Sequence, residues 1–86
     1  MVMPVPLSRL SPGQQAVICS LRSENDMRRR LEDIGFTPAS VVSCLYRSAL
    51  DDPTAYGIRG SVIALRAEDA GNILVLPEDG EAKHET

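Results

Sequence analysis

Hydrophobic and polar positions along this chain repeat with two different periods. From Gln14 to Leu21 the period is two, which predicts a strand with Val17, Cys19 and Leu21 on one face and Ala16 and Ile18 on the other. From Met27 to Ile34 the period is helical. Met27, Leu31 and Ile34 fall at i, i+4 and i+7 and share one face that must be buried. Gly35 stands where a left-handed C-terminal cap is needed, and Phe36 beyond it can fold back onto Leu31. Pro38 forbids continuation. These signals predict one short helix over residues 25–34, capped by Ser23 or Asn25, with Glu24 and Asp26 well placed in its first turn.

The remainder reads as strands separated by turn chemistry. Leu7–Leu10 is a lead-in, and Ser11-Pro12-Gly13 a tight turn. Val41–Arg47 is a strand, and Leu50–Pro53 a loop. Ala55–Arg59 and Ser61–Arg66 form a hairpin around Gly60, where a bulge or tight turn is expected. Ala67–Ala70 allows one helical turn, and Ile73–Leu76 a last strand. About five short strands with one inserted helix predict a mainly β fold, a small half-open barrel. A split α+β sheet is the alternative.

Composition sets the scale. Eighty-six residues make one domain, which buries only about 60% of its unfolded surface and leaves little room for a deep cleft. With no Trp, two Tyr and one Phe, aliphatic side chains must build the core. The net charge of −3 sits in the last residues, where Glu78, Asp79, Glu81 and Glu85 oppose Lys83. The expected division is a folded domain over residues 1–76 and an acidic, disordered tail over 77–86. The body itself is electrically neutral, which argues against nucleic acid and anionic lipid as partners. No apolar run approaches the roughly 20 residues that span a bilayer. The N-terminus lacks the basic and apolar regions of a signal peptide. The expected compartment is the cytoplasm, with Cys19 and Cys44 as reduced thiols.

Catalytic chemistry finds no foothold. Cys19, Cys44 and His84 are single residues without metal-ligand spacing, so no metal site is expected. There is no phosphate-cradling loop, and the only Lys is Lys83. Adjacent Asp51 and Asp52 before Pro53 suit a turn better than acid–base work. Arg28, Arg29 and Arg30 fan over about 200° of a helix, so they cannot all meet one surface. Asp26 and Asp33 are spaced to pair with Arg30 and Arg29. The helix is short and lacks the second helix of a DNA-reading motif. The few aromatics also make a proline-peptide groove a poor fit. No enzyme activity and no cofactor are expected.

The ordered segments from Leu7 to Leu76 resemble the FeoA family, a small component of bacterial ferrous iron uptake. The resemblance rests on Leu7–Gly13, on Arg29–Pro38, on Leu50–Pro53, and on Ile58–Gly60 through Ile63–Arg66 with Glu68, Ala70, Ile73 and Val75. It implies an SH3-like barrel with an inserted helix and no catalysis. It also implies a partner, the G-protein-type cytosolic domain of the FeoB membrane transporter. The same barrel resembles the C-terminal domain of metal-dependent transcriptional repressors, which supplies the alternative function, a regulatory module with at most weak transition-metal binding. Loops and the exposed helix face should carry partner contacts, and Arg28, Arg29, Leu50, Asp51, Asp52 and Tyr56 are the candidates. Open strand edges could also support weak self-pairing. Two positions depart from the family pattern. Ala39 stands where Gly usually follows Pro38, and Gly57 interrupts a strand.

Overall fold

A computed structural model describes residues 3–78. Strands β1 (Val5–Pro6), β2 (Gln15–Leu21), β3 (Val41–Arg47), β4 (Thr54–Ile58), β5 (Ser61–Leu65) and β6 (Ile73–Pro77) form one antiparallel sheet in the order β1-β6-β2-β3-β4-β5. Helix α1 (Asn25–Ile34) joins β2 to β3, and the single turn α2 (Ala67–Ala70) joins β5 to β6. One core cluster includes both Leu65 of β5 and Val75 of β6, so the sheet curls on itself and β1 and β5 are its open edges. The mainly β expectation holds, with one strand more than anticipated. The lead-in contributes β1, a 3₁₀ turn at Leu7–Arg9, and two core residues, Leu7 and Leu10.

The C-terminus of α1 is built as its sequence requires. Gly35 adopts φ 127°, and its N–H donates to the Glu32 carbonyl at 3.1 Å while the Phe36 N–H donates to the Leu31 carbonyl at 2.9 Å. This is the paired hydrogen bonding of a Schellman ending, and it brings buried Phe36 against buried Leu31. Met27 and Ile34 pack against the same core, partly buried. The N-terminus differs from expectation. Glu24 occupies the cap position without a side-chain bond, Asn25 is already helical, and Ser23 Oγ is buried without a partner.

A turn then reverses the chain into β3. The Ser40 N–H donates to the Thr37 carbonyl at 3.0 Å, with Pro38 and then Ala39 at the two central positions. Ala39 has φ 77°, as the second central residue of a type II turn must. Its N–H donates to the Ile18 carbonyl at 2.9 Å, and the Ile18 N–H to the Ser40 carbonyl at 2.9 Å. The turn therefore extends the β2–β3 pairing.

Bulges in β2 and β3 decide which side chains face inward. In β2 the register slips between Ile18 and Ser20, so Cys19 is the extra residue. The expected face of Val17, Cys19 and Leu21 is thereby broken, and Leu21 joins Ala16 and Ile18 in the core. In β3 the slip lies between Cys44 and Tyr46, which makes Leu45 extra. Gly57 itself sits in an unbroken strand, so the irregularity belongs to its neighbour. Gly60 belongs to a two-residue hairpin turn with Arg59, at φ 81° and 49°. The sheet also runs past residue 76. Pro77 pairs with Ala16, and the Glu78 N–H donates to the Gln15 carbonyl at 2.8 Å. The remainder of the expected tail, residues 79–86, lies outside the described residues.

Candidate docking surface

The six residues singled out from the sequence occupy three different settings. Arg28 and Arg29 are exposed on α1. Arg28 Nε donates to Glu32 Oε2 at 3.2 Å, the one ion pair among the described residues. The Asp26–Arg30 and Asp33–Arg29 pairs do not form. Leu50 is 87% exposed at the tip of the loop between β3 and β4. That loop is folded by the Asp51 N–H donating to the Ser48 carbonyl at 2.8 Å, with Asp51 at φ 68°. Asp52 Oδ1 accepts the Ala67 N–H at 2.8 Å, so it caps α2 across the chain. Tyr56 is 1% exposed and is a core residue, placed there because it pairs with inward-facing Cys44. It presents no surface to a partner. Helix α1 leads into β3 at Val41 and the loop leaves it after Arg47. Seven residues of strand put roughly 20 Å between those two ends of β3.

The structure assembles a different surface, on the outer face of β3, β4 and β5. Cross-strand rows place Ser43 beside Gly57 and Val62, and Tyr46 beside Ala55 and Ala64. Leu45 and Tyr46 are consecutive yet both exposed, because the bulge adds a residue without reversing the face. Leu45 lies over Gly57, where a Cβ would sit 3.5 Å from its Cδ1 and Cδ2. Val62 is 62% and Tyr46 61% exposed. Large side chains thus stand over a floor of Gly57, Ala55 and Ala64, with no charged residue in either row. Leu50 rises from the loop at the Tyr46 end of this strip. Alternation alone hides such a surface, because the bulge that creates it has no clear sequence signature. A run of two apolar residues opposite a strand glycine was the available signal.

Beneath the strip the environment is dry. Burial pushes the Cys44 thiol up from its ordinary value, and Arg47 partly opposes this. Burial likewise raises the Tyr56 phenol, with the neighbouring Cys44 adding to it. Arg47 turns its guanidinium away from the strip, donating from Nη2 to the Leu10 carbonyl at 2.9 Å. Among the described residues no group of three or more His, Cys, Asp or Glu could hold a metal ion. Cys44 is buried and Cys19 half-buried, and His84 lies outside the described residues. No helix among the described residues is long and apolar enough to cross a membrane. The strip offers apolar contact area.

Known proteins share the sequence pattern and fold of this chain. The family model of the FeoA domain matches residues 5–77. A fusion protein of Fe(2+) transport protein A and the Fe(2+) transporter FeoB from Porphyromonas gingivalis is 35% identical over 69 residues, which cover 80% of this chain. The chain spans only 8% of that protein's length. The crystal structure of Stenotrophomonas maltophilia FeoA, a zinc complex described as a procaryotic SH3 domain protein, superimposes with a TM-score of 0.73 at 25% identity, covering 85% of this chain and 88% of that one. A manganese-dependent transcriptional repressor shares the fold with a TM-score of 0.78 at 18% identity, covering 91% of this chain and 44% of the repressor.

Proposed function

This chain belongs to the FeoA domain family, and we propose that it is a non-enzymatic accessory protein of bacterial ferrous iron uptake that binds the cytosolic G domain of a FeoB-type transporter. The observation that carries this reading is the Porphyromonas gingivalis relative, in which a transport protein A segment and FeoB share one polypeptide. Fusion of two functions in one chain raises their effective concentration for each other, which is useful when the parts work in contact. The description of the Stenotrophomonas maltophilia protein as a candidate ferrous iron transport activating factor supports the same role.

The chain acts by surface complementarity from the cytoplasmic side. Leu45, Tyr46, Val62 and Leu50 supply apolar contact area, since an exposed apolar patch of this kind is what partners cover. Arg28, Arg29 and Asp51 are exposed and can set orientation. Asp52 contributes by holding the loop against α2. The fold likeness to the repressor, at 18% identity, transfers no function.

Titration of the chain into the purified G domain, with and without guanine nucleotide, tests the proposal. Binding is expected, weakened at least ~10-fold by Tyr46→Asp combined with Leu50→Asp, which remove apolar contacts worth more than about 1.4 kcal/mol. Absence of binding together with unchanged nucleotide turnover and iron transport overturns it.

A further inference from the structure

The two open edges of the sheet are treated very differently. β1 is two residues long and contains Pro6, a short, proline-bearing edge of the kind that discourages strand addition. β5 is five residues long, Ser61–Leu65, with no charge, no Pro and no bulge. It pairs with β4 on one side and with no strand on the other among the described residues. The Arg59–Gly60 turn is a two-residue loop closed by Ile58 and Ser61, and such a loop is closed by a hydrogen-bonded pair. Alternation then directs the N–H and C=O groups of Ser61, Ile63 and Leu65 toward β4, and those of Val62 and Ala64 toward the open edge. Both residues are exposed.

We propose that β5 is a self-association edge, pairing antiparallel with β5 of a second copy about a two-fold axis at Ile63. The strand is self-complementary in that register. Val62 of one copy meets Ala64 of the other, and each pair exchanges both free backbone bonds, four in all. The large side chain of Val62 faces the small one of Ala64, so the outer face closes without a clash. The flanking charges do not oppose each other. Arg66 falls opposite Gly60 of the second copy, and the Arg59 side chain folds back over Gly35 and donates from Nη2 to Ser40 Oγ at 3.4 Å. The outer apolar strips of the two copies become continuous across the axis.

The test uses the full chain without transporter, so its failure is separate from failure of the accessory role. Sedimentation velocity up to about 1 mM, the range where so small an interface is populated, should show a doubling of mass. Hydrogen exchange should slow at the Val62 and Ala64 amides with rising concentration while the Ile63 amide, already bonded to β4, stays unchanged. Val62→Lys should weaken association at least ~10-fold, since charged edges resist pairing. Ala64→Pro removes one free donor and leaves the β4 ladder intact, and it should do the same. A mass and exchange pattern independent of concentration overturns the proposal. So does protection of Val62 and Ala64 that appears only when the G domain is added, which would give this edge to a transporter strand.

Discussion

Leu45 covers Gly57: the extra residue of the β3 bulge lies over the one β4 position that has no side chain, with both Leu45 methyl carbons 3.5 Å from where a Cβ would be. The two irregularities, one on each strand, fit each other. The glycine makes space for a leucine that the bulge turns outward, and the pair forms the middle of the apolar strip.

The fit is loose enough to test. A distance of 3.5 Å is ordinary contact, and Gly57 has no left-handed φ. Gly57→Ala should therefore be accepted and raise stability by about 0.5–1 kcal/mol, because glycine in a strand gives up more conformational freedom than alanine. Gly57→Leu should instead displace Leu45 and lower stability. Urea denaturation of both variants checks the pair, and a clear loss on Gly57→Ala would mean the strip floor is closed.

Ala39 carries strain that glycine would relieve. A φ of 77° in the type II turn costs an L-residue about 1–2 kcal/mol, while glycine adds about 0.4–1 kcal/mol of freedom to the unfolded chain. Ala39→Gly should stabilise by up to about 1.6 kcal/mol net, read from the same denaturation curves.

The helix should divide cleanly into a structural face and a surface face. Leu31 is 1% exposed, packed within the core and the Schellman ending. Leu31→Ala is expected to cost about 2–5 kcal/mol. Arg28 pairs with Glu32 at the surface, so Arg28→Ala should change stability by less than about 1 kcal/mol. Equal effects from the two substitutions would show that the Leu31 face of α1 does not carry its packing against the core.

Stability should fall on the alkaline side. Cys44 and Tyr56 become charged by losing a proton, and burial raises the pH at which each does so in the folded chain. The unfolded chain releases these protons first, near the ordinary values of 9.0 for the thiol and 10.0 for the phenol. Their contribution is whole below pH 9.0 and is lost as pH climbs toward the raised folded values. Thermal melts across this range should show Tm steady from neutral pH to the thiol's ordinary value and declining above it. Cys44→Ala should delay the onset.

Local codes were legible without coordinates because each is written over a few neighbouring residues. The i, i+4, i+7 stripe, Gly35 and Pro38 specified α1 and its exit, and β3 ran over the expected Val41–Arg47. The departures arose where distant segments meet. The Cys19 bulge split the expected face of Val17, Cys19 and Leu21, and Tyr56 went to the core because of its pairing with Cys44. Asp52 became a cap for α2 fifteen residues away.

Sequence alone determined both helices and five of the six strands, the neutral body and the resemblance to a family, since propensity, the helix stop signal and composition are local or additive properties. Tertiary structure decided the faces and edges: which half of each strand is buried, that Leu45 and Tyr46 point outward together, and that β5 ends the sheet unpaired. A bulge inserts one residue, so the side chains that follow it fall on the opposite face from the one strict alternation would assign. That shift is set by pairing between strands, so it exists only once the chain has folded.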